Sequence, residues 1–200
     1  MENYLSIILL LYFILYFGIA FVLKTILVAR RIGKNPLVLP KDDSAFGFIG
    51  KYFKLCLIFL FIYILINATI PNWKNVDVYI PYFLNPIWKY TGLVLLGISL
   101  IWTIIAQRNM KDSWRIGIDH EKKSELVTTG LFSVSRNPIF FGMLLSLVGL
   151  FLCLPTLFTS IFLVSGYLLI QIQIRLEEDY LRKEHGELYL TYLSKVRRLI

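Results

Sequence analysis

Leu126-Val-Thr-Thr-Gly-Leu-Phe-Ser-Val-Ser-Arg-Asn-Pro-Ile-Phe-Phe141 runs a polar, Gly- and Arg-bearing segment straight into an apolar helix. Hydrocarbon does not tolerate unpaired polar groups, so a basic, turn-forming start to a membrane helix needs a reason. A second polar cluster, Gln171-Ile-Gln173-Ile-Arg175-Leu-Glu177-Glu178, stands at the far end of the next apolar run. Pro155 alone separates the two runs, which makes them arms of an antiparallel hairpin with a tight turn. Both polar clusters then fall at one end of that hairpin. This is the layout of a site at a membrane surface.

Working outward, 57% of the chain is hydrophobic and mean hydropathy is +0.67, too apolar for an ordinary soluble domain. A spanning helix needs about 20 apolar residues. Five runs qualify: Tyr4–Val28, Tyr52–Ile70, Ile87–Ala106, Pro138–Leu154 and Thr156–Ile174, the fourth short enough to lean on its neighbours. The expected fold is an all-α integral membrane protein with about five transmembrane helices, a C-terminal helical hairpin and a cytosolic helical tail.

Of the 21 Lys and Arg residues, 19 fall in three groups at alternate ends of these runs, and only Lys74 and Lys89 lie in the intervening connector. The positive-inside rule then puts the N-terminus outside, with both long loops, the C-terminus and the site facing the cytosol. The net charge of +8 follows from that topology and from contact with anionic lipid. A nucleic-acid surface would need a basic stripe interleaved with exposed aromatics, and none separates from the topology signal. Glu2 in place of a basic leader segment argues against a cleaved signal peptide. Cys56 and Cys153 sit alone in different helices, as small core residues.

The chain divides unevenly. Residues 1–106 form a three-helix membrane region joined by the Gly- and Pro-bearing loop Arg30–Lys51, expected to be mostly turns. Residues 107–200 hold the chemistry: a cytosolic loop in which Trp114 and Ile116 dip toward the bilayer, the hairpin, and a tail from Leu176 to Arg198 broken near Gly186. Leu188, Tyr192 and Val196 recur in that tail at four-residue spacing, with Tyr189 and Leu193 on the next face. Such a tail folds back over the end of the hairpin as a lid.

Pro138 suits a first helical turn, where its missing N–H has no intrahelical partner, and Asn137 before it is a candidate cap. The free N–H groups there, with Arg136, would favour an anionic partner. Glu178 has Arg182 four residues on, and Asp179 has Lys183, so both read as ordinary surface pairs. Glu177 instead shares its face with Gln173, has Leu181 on its other side at four-residue spacing, and so has no cation on its own helix to pair with. An unpaired acid beside an amide at that depth implies a polar pocket holding a cationic ligand. The bland alternatives are a positive-inside arginine and a solvated glutamate. His120 and His185 are expected to be exposed and have no His or Cys at metal-ligand spacing, so no metal is expected; no phosphate-cradling glycine loop occurs.

Taken together, Leu126–Gly142 (LVTTGLFSVSRNPIFFG) and Arg175–Arg198 (RLEEDYLRKEHGELYLTYLSKVRR) resemble the isoprenylcysteine carboxyl methyltransferase family and, more distantly, membrane phospholipid methyltransferases. The resemblance covers about Ser113–Arg198. It implies S-adenosylmethionine bound without a Rossmann fold, by Glu125, Leu126, Val127, Phe132, Asn137, Pro138, Phe140 and Glu177. It also implies a lipid-like or isoprenoid acceptor, near Gln173, with Arg136 and Arg175 as catalytic candidates. Asn137 stands where the family has His, and Phe132 and Phe140 where it has Tyr. Gln173 stands where some members have a substrate-binding Arg. Methyl transfer fits these departures better than a carboxylate substrate does. The competing readings are an NADPH-dependent membrane reductase of sterols or fatty chains, whose Arg-His-Pro motif continues to a Glu that Met143 replaces here, and a non-enzymatic membrane subunit.

Overall fold

The computed structural model describes residues 2–38, 43–70, 73–114, 116–117 and 125–200. His120 and the side chain of Ile116, for which the sequence set expectations, lie outside the described residues. Four helices are long and apolar enough to cross a membrane. The first rod joins α1 (Glu2–Phe17), a π-helical turn (Gly18–Leu23) and α2 (Lys24–Ile32), and stops at Gly33, whose φ of 70° suits a residue without Cβ. The others are α3 (Ala45–Thr69), α4 (Pro86–Met110) and α6 (Leu157–His185). Between the last two lies α5 (Pro138–Cys153). Its 16 residues reach roughly 24 Å at about 1.5 Å per residue, short of a hydrocarbon core of about 30 Å. The protein is an all-α membrane protein in which α5 is the short arm of the hairpin.

Local chemistry sets the helix limits. The Ser44 side chain accepts from Gly47 N at 3.1 Å, so α3 begins at Ala45 and absorbs Gly47 and Gly50, which the sequence assigned to a turn-rich loop. Asn85 accepts from Ile87 N ahead of Pro86, and Thr156 and Thr159 cap α6 reciprocally. Because α6 runs unbroken to His185, the first half of the expected tail is a continuation of a spanning helix. Gly186, with φ 52°, then turns the chain into α7 (Glu187–Lys195).

Helices α4 and α5 form the most extensive helix pair, along a seam of small residues. A Cβ on Gly92 would stand 2.7 Å from both Cys153 Sγ and Gly149 O. Ser99 donates to Gly142 O at 2.7 Å, Tyr12 meets Ser146 at 2.9 Å, and Tyr16 meets Thr103 at 3.0 Å. Apolar lipid gives little reason for helices to associate, so close backbone approach and hydroxyl bonds, at about 0.6 kcal/mol each, carry the packing. An apolar core of Leu9, Leu60, Ile64, Leu96, Leu150 and Leu154 fills the rest. At one end Tyr63 donates to Asp77 at 2.8 Å and contacts Thr156 at 2.7 Å, tying the α3–α4 connector to the hairpin turn. At the other end β1 (Leu37–Val38) pairs in parallel with β2 (Ile116–Gly117), joining the two long loops.

The tail packs by the residues its spacing singled out, Leu188 excepted: Leu193 and Val196 are half-buried. Leu188 is 62% exposed, whereas Tyr189 is 1% exposed and Tyr192 is also buried. Tyr189 and Tyr192, three residues apart on one face of α7, dock it against the segment before α5. Arg136 N donates to Arg197 O at 2.9 Å, and Ser135 and Arg197 pair as a parallel bridge.

Candidate active site

A cavity of about 360 Å³ opens at the end of the bundle where α4 ends, α5 begins and α6 leaves its apolar run. Phe17 at the end of α1, Phe21 from the π-helical turn, Phe53 of α3, Trp114, Phe132 and Phe140 wall it with rings. Its polar and charged lining is Lys54, Gln107, Arg136, Asn137, Gln173 and Glu177. Gln107 is not open, because its amide donates to the Ala20 carbonyl in the π-helical turn, where the hydrogen-bond ladder is irregular. Trp114, expected at the bilayer, is instead 2% exposed against this cavity. A narrower apolar slot of about 60 Å³ adjoins the cavity and shares Phe17, Phe53, Leu57 and Met143 with it. It runs between α1, α3, α5 and α6 toward Leu60 and Leu150.

Gln173 Nε2 donates to Glu177 Oε1 at 2.8 Å, the shared face that four-residue spacing requires. Among the described residues Glu177 forms no salt bridge. A carboxyl group on the wall of an aromatic cavity, with one amide as its partner, would be stabilised in its charged form by a cation beside it.

The neighbouring carboxylate behaves oppositely. Glu178 is 3% exposed and is not a surface partner of Arg182. Its Oε1 accepts from Arg136 Nε at 3.1 Å and lies 3.0 Å from Arg136 Nη2, while Arg198 Nε and Nη2 bind Oε2 at 3.0 and 2.7 Å. Arg136 also donates to the carbonyls of Leu193 and Val196. The anion that Arg136 meets is therefore part of the protein. Asn137 makes no side-chain cap; its amide donates to Glu178 at 3.2 Å and to Arg198 O at 3.0 Å, while Ser135 Oγ accepts the Asn137 N–H. The amide is thus turned toward Glu178 and the tail by its Nδ2, with a charged acceptor strengthening that bond, while its Oδ1 makes no bond to the first turn of α5. Hydrogen bonds to Glu178 also raise the pKa of Arg198 above its ordinary value.

The loop before α5 is fixed from two sides. Gly130 has φ 64°, and a Cβ there would collide with the Asn109 amide, whose Oδ1 accepts from Leu131 N at 3.0 Å. Tyr192 Oη donates to Phe132 O at 2.6 Å. Burial, followed by the Glu178 charge, pushes the Tyr189 phenol up to about 12, and burial raises Tyr192 as well.

The sequence matches the phospholipid methyltransferase family model over residues 87–187, half of the chain, from α4 through the turn after α6. The chain belongs to the phospholipid methyltransferase family. It is a membrane methyltransferase family, and the resemblance seen in the Leu126–Gly142 and Arg175–Arg198 segments holds. No curated protein matches the chain significantly.

Within this phospholipid methyltransferase domain, Phe132, Arg136, Asn137, Pro138, Phe140, Gln173 and Glu177 converge on one cavity. Four sequence candidates do not. Arg175 is exposed and bonds the carbonyl and side chain of Gln171 on its own helix. Glu125 is exposed, Leu126 and Val127 are half-buried, and none of the three borders the cavity. The sequence reading gave no site role to Asn109, Glu178 and Arg198, which hold the site together, or to Lys54, Phe17 and Phe21, which border it. A lysine inside the apolar α3 run was a visible signal; the others depend on contacts between distant segments.

Proposed function

We propose that the protein is an S-adenosylmethionine-dependent methyltransferase acting on a lipid-like acceptor, with the nucleophile a carboxylate or thiol as in isoprenyl-cysteine compounds. The observation that carries this reading is Glu177: a carboxyl group with an amide but no cation as partner among the described residues, on an aromatic-walled cavity that adjoins an apolar slot. These residues fit the cofactor. Glu177 would meet its ammonium or sulfonium charge, with Gln173 orienting the carboxylate, and the surrounding rings favour a cation over their faces. Bound there, the cofactor would supply an electrophilic methyl group to the acceptor's lone pair, with the electrons of its C–S bond left on sulfur.

The chain's own work is positioning and exclusion of water. A carboxylate or thiolate acceptor needs no general base, and its reactivity rises when it is desolvated and aligned. Trp114, Phe132 and Phe140 remove water from one side of the cavity, while the slot accepts a hydrocarbon tail from the other. Asn137 presents a wall held in place by Glu178, and Arg136 serves as a positioning residue because its guanidinium is already engaged with Glu178 and the tail. Charge placement along the loops orients the cavity to the cytosol.

The test is methyl transfer itself. Membranes containing the protein, given methyl-tritiated S-adenosylmethionine and a lipid extract, are expected to accumulate label in the organic phase, and Glu177→Gln membranes to lose most of it. Equal labelling by both proteins would refute the role given to Glu177.

A further inference from the structure

Three contacts between the first rod and α4 repeat with one spacing. Tyr12 Oη donates to Ser99 Oγ at 3.4 Å, Tyr16 Oη meets Thr103 Oγ1 at 3.0 Å, and Gln107 Nε2 donates to Ala20 O at 2.6 Å. Each rung joins residues 87 apart, so the two helices run in the same direction and meet along four-residue ridges. Tyr16, Ala20, Ser99, Thr103 and Gln107 are all buried. Turning the rod about its axis would strand these polar groups away from water, which fixes its rotation.

One residue beyond each rung stands a phenylalanine. The rings of Phe13 and Phe17 lie 4.4 Å apart, and those of Phe17 and Phe21 are stacked at 5.2 Å. The three differ in what they face. Phe13 lines the apolar slot, Phe21 lines the cavity, and Phe17 lines both. Phe53, Leu57 and Met143 are the other residues common to the two spaces, so these four side chains form the neck between them. Phe17 is braced by a ring on either side and by the rungs at Tyr16 and Ala20, whereas Met143 is an unbranched side chain that yields. Beyond the neck the slot measures about 60 Å³ against about 360 Å³ for the cavity, room for a chain and not for a head group. Phe13, Phe17 and Phe21 precede the segment shared with the family, which supplies the rungs at Ser99, Thr103 and Gln107.

We propose that Phe17 is the specificity-determining residue for the acceptor's chain: its ring, fixed in the neck, admits a slender chain from cavity to slot and turns back a thicker one. That the chain belongs to a methyl acceptor rests on the methyltransferase reading above; the selection by girth rests on the neck. Forcing bulk into a braced apolar passage carries an overpacking cost that a thin chain avoids.

The probe is decyl alcohol carrying a terminal diazirine, photolysed on the full chain in detergent, with adducts mapped by peptide mass spectrometry. Wild type is expected to carry adducts at the far end of the slot, on the peptides holding Leu60 and Leu150. Phe17→Trp should lose them. Ile14→Trp, which adds the same bulk to the exposed side of the rod, should keep them. In wild type, dodecyl alcohol should displace the probe at least about fivefold more effectively than adamantaneethanol, a cage of equal carbon number, the low end of an overpacking cost. Phe17→Ala, which removes bulk and so guards against a loss caused by misfolding, should erase that difference. Slot adducts that survive Phe17→Trp, equal losses in Phe17→Trp and Ile14→Trp, or a preference unchanged in Phe17→Ala overturn the proposal. Slot adducts governed by Phe17 in a protein that binds no S-adenosylhomocysteine would remove methyl transfer and leave the neck's selection standing.

Discussion

Replacing Glu178 by Gln separates the two adjacent carboxylates of α6 by role. The Glu178 side chain is 4% exposed and holds Arg136, itself 9% exposed, together with the Asn137 amide and Arg198. The substitution removes the charge and turns an accepting oxygen into a donor that faces other donors. Breaking a buried ion pair from one side costs roughly 3–5 kcal/mol, because the remaining charge is stranded. The Arg198 arm, 41% exposed at its side chain, adds about 1 kcal/mol or less. At about 1.4 kcal/mol per factor of ten, the lower bound near 3 kcal/mol raises the opening equilibrium of the tail by about 100-fold. Hydrogen exchange read by mass spectrometry on peptides covering Gly186–Ile200 should therefore accelerate by about that factor. Glu177→Gln, which faces the cavity, should leave those peptides protected. Unchanged exchange in Glu178→Gln, or equal loosening by both substitutions, would refute the assignment of Glu178 to the tail.

Gly130→Ala forces a side chain into a left-handed backbone and against Asn109; the backbone alone costs about 1–2 kcal/mol. Lower thermal stability and weaker S-adenosylhomocysteine binding are expected, with Asn109→Ala reproducing the second effect more mildly. Tyr189 titrates near 12 in the folded protein against an ordinary value of 10.0. Folding favours the protonated phenol, so its contribution is whole below pH 10 and is lost as pH climbs from 10 through 12. Phenolate absorbance of wild type minus Tyr189→Phe should show one group titrating near 12 when folded and near 10 in denaturant.

The spans were legible because runs of about 20 apolar residues have few alternatives, and the hairpin because Pro155 leaves no room for a loop. The Gln173–Glu177 face was legible because four-residue spacing on a helix is local geometry. The roles of Arg136 and Glu178 were not. Glu178 had a plausible partner four residues away in Arg182, and nothing local shows that residues 136 and 198 arrive instead. Those partners meet only once α7 has folded back. The tail's stripe was legible except at Leu188, which stands in the first turn of α7, directly after the chain turns at Gly186, and stays exposed. Phe21 reaches the cavity from a π-helical turn that no residue pattern announces, beside Phe17 at the end of α1.

Isothermal titration of the detergent-solubilised chain with S-adenosylhomocysteine tests the central claim most directly, with Glu177→Gln and NADPH alongside. The structure predicts saturable one-site binding, weakened by Glu177→Gln, and no heat from NADPH. Binding of NADPH with no response to S-adenosylhomocysteine would contradict the account.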